Sequence, residues 1–164
     1  MKPVSLCLIR MGKKGLELVD TYPEVLPKEA LNQIAVKSMP FNARDGDFST
    51  STVGENVISG YVFAVPSQEG RSNIASLVAV FDSLKFDPET IKKVFSFTIT
   101  ELKKNDLIEI KTLSKILPNL YKGLAKKQLK IKISSVVTLE FDFREEEEEE
   151  EEKELDKFSK EIWK

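Results

Sequence analysis

The sequence predicts a mixed α/β domain of the α+β kind, with a mainly antiparallel five-stranded sheet sandwiched by helices. Three observations carry this. Most apolar segments are short, rich in strand formers and bounded by glycine or proline. Few stretches show the three-and-four spacing of a helix. These elements follow one another as β-β-α-β-β-β-α-α, with an extra strand and an acidic tail at the end. The chain has 164 residues, 41% of them hydrophobic and 32% charged. That suits one hydrophobic core, with residues 1–143 as the domain and residues 144–164 as the tail.

Val4 to Met11 is apolar, "GKKG" (Gly12 to Gly15) is a turn, and Leu16 to Tyr22 runs back, so the chain opens with a β-hairpin. Pro27 suits the first turn of a helix and Pro40 stops it. Between them Ala30, Leu31, Ile34 and Ala35 form one apolar face. Three strands are then expected at Asp47 to Val53, Val57 to Pro66 and Ile74 to Phe81. Asp87 and Pro88 are a cap and first-turn pair for a helix whose apolar residues are Ile91, Val94, Phe95, Thr98, Ile99 and Leu102. Ile74, Leu77, Val78, Val80 and Phe81 are expected to pack against this helix. A second helical pattern, Leu113 to Leu124, contains Pro118, which predicts a kink or two short helices. Lys130 to Phe143 alternates as a single strand.

Composition excludes several kinds of chemistry. There is no histidine and one cysteine. A histidine-assisted nucleophile and a histidine or multi-cysteine zinc site therefore cannot be built. No glycine-rich phosphate loop occurs. No catalytic residue, cofactor or metal is expected. Asp82, at the end of an apolar strand, reads as the exit toward a helix rather than as a catalytic carboxylate. No apolar run reaches the ~20 residues of a membrane-spanning helix, and the opening residues lack the pattern of a secretory signal. With Cys7 in an apolar run, the expected location is cytoplasmic.

The charge is divided. From Glu145 onward four lysines face eleven acids, a net −7, and the other 21 bases and 16 acids leave +5 on the body. Lys122, Lys126, Lys127, Lys130 and Lys132 make a basic face, suited to a solvated surface, to anionic lipid or to the acidic tail itself. Few aromatics accompany them, so no nucleic-acid partner is expected. Glu145 to Glu152 is an unbroken run of glutamates. Beyond it Leu155, Phe158 and Ile162 recur at helical spacing with Trp163 alongside, an anchor for the end of the tail.

The element order from Val4 to Ala125, and above all the strand, Gly-turn, strand, loop and apolar strand of "GDFSTSTVGENVISGYVFAVPSQEGRSNIASLVAVFDS", resembles a longin domain, the profilin-like, SNARE-like α/β fold. The chain would then be a free-standing longin-like protein, of a kind that fits archaea with eukaryote-like trafficking genes. The SNARE coiled coil is missing. The resemblance implies a non-enzymatic interaction module in membrane trafficking or small-GTPase regulation. Its partners would be a small GTPase, another longin or roadblock-like domain, or a second copy, with peripheral contact to an anionic membrane. The implied interface is the hairpin edge and first helix, Leu31, Ile34 and Lys37. An alternative is a profilin-like protein that binds actin monomers, although this chain begins with a strand.

Overall fold

In a computed structural model, residues 2–13, 15–40, 42–66 and 72–143 are described. The elements are β1 (Ser5–Gly12), β2 (Gly15–Tyr22), α1 (Lys28–Ser38), β3 (Phe48–Val53), β4 (Asn56–Pro66), β5 (Ser72–Phe81), α2 (Pro88–Lys104), α3 (Ile110–Lys126), β6 (Gln128–Lys132) and β7 (Thr138–Asp142). The first five strands form one sheet in the order β2-β1-β5-β4-β3, with every pairing antiparallel. This is the α/β sandwich that the longin resemblance implies.

Strand alternation divides the sheet between two cores. Leu6 and Leu8 of β1, Phe63 and Val65 of β4, and Ala75, Leu77, Ala79 and Phe81 of β5 face α2, α3 and the β6–β7 hairpin. Cys7 and Ile9, Ile58 and Val62, and Val78 and Val80 face α1 with Ile34, Ala35 and Met39. The expected packing of the third apolar strand on α2 is thus half corrected. Leu77 and Phe81 meet that core with Ile91, Val94, Phe95 and Leu102, whereas Ile74, Val78 and Val80 lie on the α1 side. The continuous apolar run arises because β5 is covered on both faces.

The α2 start is as expected. Asp87 caps the helix, its carboxylate accepting from Glu89 N (3.1 Å) and Thr90 Oγ1 (2.7 Å). α3 is not the two short helices that are one of the alternatives expected at Pro118. Pro118 sits inside one uninterrupted helix. The proline costs about 3 kcal/mol. Leu113, Ile116, Leu117, Leu120 and Leu124, on both sides of it, are buried in one core. At about 1.5–3 kcal/mol for each buried side chain, that burial outweighs the proline.

The last expected strand is in fact a hairpin. Ser134 Oγ accepts from Val136 N and Val137 N, and the turn folds β7 back on β6. Paired residues such as Leu129 with Phe141 and Ile131 with Leu139 are both odd-numbered. Cross-strand partners share a face, so the two-residue alternation continues in phase through the turn and conceals it. β6 lies close on α3 at Gly123, where a Cβ would collide with Leu129 Cδ2 and lie 3.1 Å from the Gln128 carbonyl oxygen. The helix ends on Lys127 in the left-handed conformation (φ 62°), and the strand begins at the next residue.

Candidate functional site

The two outer strands of the large sheet are finished differently. β2 carries a bulge where Leu8 pairs with Asp20 and Ile9 with Leu18, leaving Val19 unpaired. It is also tied to α3, with Ser114 Oγ donating to Asp20 Oδ2 at 2.6 Å and Tyr22 packed edge-on against Tyr121. Bulges and covered flanks protect a sheet edge. β3 has no bulge, and its one side-chain tie to a helix among the described residues is Lys37 at its Thr52 end. It pairs with β4 in unbroken register and, among the described residues, has no strand on its other side.

The orientation of the β3 backbone follows from its hairpin. Val53 and Asn56 close a two-residue loop that starts at Gly54, whose φ of 60° a side chain would strain. The closing pair exchanges hydrogen bonds, and alternation then turns the N–H and C=O groups of Phe48, Thr50 and Thr52 outward. The Thr52 carbonyl accepts from Lys37 Nζ of α1 at 2.5 Å, as that orientation requires. Thr50 and Thr52 are exposed, and the Thr50 hydroxyl is 2.9 Å from that of Ser59. Ser and Thr with outward amides make an edge strand open to pairing.

The expected α1 interface is divided by burial. Ile34 is fully buried in the core against the sheet and is withdrawn from any surface. Leu31 is half-buried and packs on the same core, while Lys37 is exposed. Val36, 66% exposed, stands on the outer side of the helix. The apolar spacing that predicts a helix marks its inner face, so the face available to a partner is its complement.

The expected basic face falls on two elements. Lys122 and Lys126 are exposed on α3, Lys127 is its left-handed cap, and Lys130 and Lys132 are exposed on β6. Lys130 Nζ lies 3.9 Å from Glu140 on β7. A shallow, open depression over this hairpin is lined by Gln128, Leu129, Lys130, Glu140, Phe141 and Asp142. Lys111 and Lys115, outside the expected basic face, are exposed on α3 as well. Their signal is a spacing of four, seven and four residues from Lys111 through Lys115 and Lys122 to Lys126. The anchor residues Leu155, Phe158, Ile162 and Trp163 lie outside the described residues.

The remaining candidates for chemistry have structural surroundings. Asp82 is exposed and Asp87 is the helix cap. Cys7 is buried on the α1 side. Burial pushes its thiol from an ordinary 9.0 up to about 11, against smaller opposing hydrogen bonds from Thr21 and Ser5. It is protonated near neutrality and a poor nucleophile. Asp45 accepts from Ala64 N at 2.9 Å and pairs with Lys103 Nζ at 3.1 Å, pinning its loop to β4 and α2. The Tyr61 hydroxyl is shifted upward, first by burial and then by the charge of Asp45. Among the described residues no three His, Cys, Asp or Glu side chains gather as a metal site, and no helix is long and apolar enough to cross a membrane.

No family model and no curated protein matches the chain. Nine solved chains match it in structure, among them the K. lactis Lst4 longin domain. That domain is 14% identical, with a TM-score of 0.43, over 75% of this chain and 94% of its own.

Proposed function

We propose that the chain is a non-enzymatic protein-interaction module, an adaptor that works in the cytoplasm in membrane trafficking or small-GTPase regulation. The single observation behind this reading is the uncovered edge of β3, with Phe48, Thr50 and Thr52 directing backbone groups outward beside Lys37 and Val36 of α1. A partner strand added there would satisfy the outward groups of Phe48 and Thr50, beyond the Thr52 carbonyl that Lys37 already holds, and the exposed side of α1 would supply side-chain contacts. In line with the longin resemblance, the proposed partner is a small GTPase, another longin or roadblock-like domain, or a second copy. Residues 1–143 are the adaptor domain on this reading, and residues 144–164 a separate acidic segment. The exposed lysines are a secondary surface for peripheral contact with anionic membrane.

The test is binding of the full chain to small GTPases in both nucleotide states, with light scattering for self-association and actin monomer as a further arm. Thr50→Pro removes one outward N–H and leaves the ladder to β4 intact. Losing that one net hydrogen bond, about 1 kcal/mol, should weaken binding about fivefold. Binding only to actin would support the profilin-like alternative. A chain that stays monomeric at high concentration and binds neither GTPase nor longin-like domain would overturn the adaptor reading.

A further inference from the structure

Four of the exposed lysines lie on one line. At 100° per residue, Lys111, Lys115, Lys122 and Lys126 fall within about 60° of one another around α3, over a length of about 22 Å. They stand opposite Leu113, Ile116, Leu117, Leu120 and Leu124, which the core holds. The helix contains no acidic residue, and among the described residues none of the four lysines makes an ion pair. α2 is different, since its Lys104 pairs with Glu101 and its Lys103 with Asp45. Like charges at i and i+4 repel one another. A stripe of this kind therefore gains from a counter-charge brought by another segment.

The fold delivers such a segment to one end of the stripe. Phe143 is fully buried, and its N–H donates to the Lys127 carbonyl at 3.2 Å. The chain thus leaves β7 beside the carboxyl end of α3, one residue past Lys126. Covalent geometry keeps Glu145 within about 7 Å of Phe143. Eight glutamates, Glu145 to Glu152, follow. Extended, they span about 26 Å, against about 22 Å for the stripe. Charge sign, point of departure and length agree.

We propose that the glutamate run docks in cis along the outer face of α3, antiparallel to the helix, on Lys126, Lys122, Lys115 and Lys111 in that order. The helix dipole opposes the first contact, because the carboxyl end of α3 carries partial negative charge. So do Glu140 and Asp142, exposed on the neighbouring hairpin. Lys126 and Lys127 offset these at the start of the path, and the far end of the stripe, at Lys111 and Lys115, lies near the positive end of the dipole. Single exposed ion pairs are weak, but tethering places the glutamates at an effective concentration in the millimolar range. The inference is independent of the β3-edge reading, which concerns a different face of the domain; on the lysines themselves the docked glutamates would compete with anionic membrane.

The experiment is zero-length carbodiimide crosslinking of the full chain, which joins only carboxylates and amines in contact, followed by peptide mapping. Lys28 and Lys92, exposed on other elements, are internal controls. The expected result is crosslinks from Glu145–Glu152 to Lys111 and Lys115 several-fold above the controls, which share the tether but lack the summed weak pairs of the stripe. They should fall several-fold between 0.1 and 1 M salt, as the Debye length drops from about 10 to about 3 Å. A Lys111→Gln/Lys115→Gln variant should lose the distal crosslinks and keep those to Lys122 and Lys126. Equal crosslinking to the control lysines would overturn the proposal. So would crosslinks that form only between copies in a mixture of light and heavy isotope-labelled protein. A third overturning result is backbone amide spectra of Lys111 to Lys126 unmoved when all eight glutamates become glutamine.

Discussion

Gly123→Ala sets two effects of opposite sign against each other at the α3–β6 contact. In an exposed helix interior the change stabilises by about 1 kcal/mol, because glycine has the greater conformational freedom to lose. Here the new Cβ would collide with Leu129 Cδ2 and approach the Gln128 carbonyl oxygen to 3.1 Å. The leucine tip can rotate only by moving within a core where it is 1% exposed, and the carbonyl is backbone. Overpacking of this kind costs about 1–3 kcal/mol. The net expectation is a loss of about 0–2 kcal/mol. At about 2.1 cal/mol/K per residue, a domain of roughly 140 residues unfolds with about 0.3 kcal/mol/K, so the midpoint should fall by up to ~7 °C. The assay is thermal and urea unfolding of Gly123→Ala, Leu129→Ala and the double variant. Leu129→Ala alone should cost about 2–5 kcal/mol. The double variant should cost less than the sum, because the second change removes the atom struck by the first. A single variant that gains about 1 kcal/mol, with additive behaviour in the pair, would show that β6 does not seat against Gly123.

Phe95→Ala should destabilise by about 3–5 kcal/mol in urea unfolding, since Phe95 is fully buried between the sheet and α2; a change near zero would displace α2 from that core. Ser76 Oγ is buried without a hydrogen-bond partner among the described residues. Ser76→Ala should therefore hold or raise stability by about 1 kcal/mol, and a loss of that size would mean the hydroxyl is paired. Cys7 carries a pH signature. Its folded thiol loses its proton near 11 and the unfolded thiol near 9.0. Above that lower value the unfolded chain binds fewer protons, so stability is complete below pH 9 and declines through pH 11, by roughly 2–3 kcal/mol in all. Cys7→Ala should flatten this slope in denaturant titrations at pH 8 to 11, and an unchanged slope would assign it to other groups.

Much of this architecture is written in local pattern. The Asp87–Pro88 pair starts α2 because a carboxylate cap and a fixed proline φ act over only a few residues. The glycine-bounded turns at Gly15 and Gly54 need positive φ, and the strands on either side follow from them. The basic and acidic segments were equally visible, since net charge needs no fold to be counted. Other features depend on what lies across space. The proline inside α3 is tolerated because core burial on both sides outweighs a local penalty that sequence alone would make decisive. The β6–β7 turn was hidden because partners of equal parity preserve the alternation. Ile34 left the candidate interface because helical spacing identifies a face but not its neighbour. The open β3 edge and the exit of the chain beside α3 come from strand order and from the Phe143–Lys127 hydrogen bond. Both are long-range, so no window of sequence contains them. Side-chain chemistry and backbone conformation are local quantities and can be read in order along the chain. Which surfaces remain uncovered is settled only when every element has taken its place.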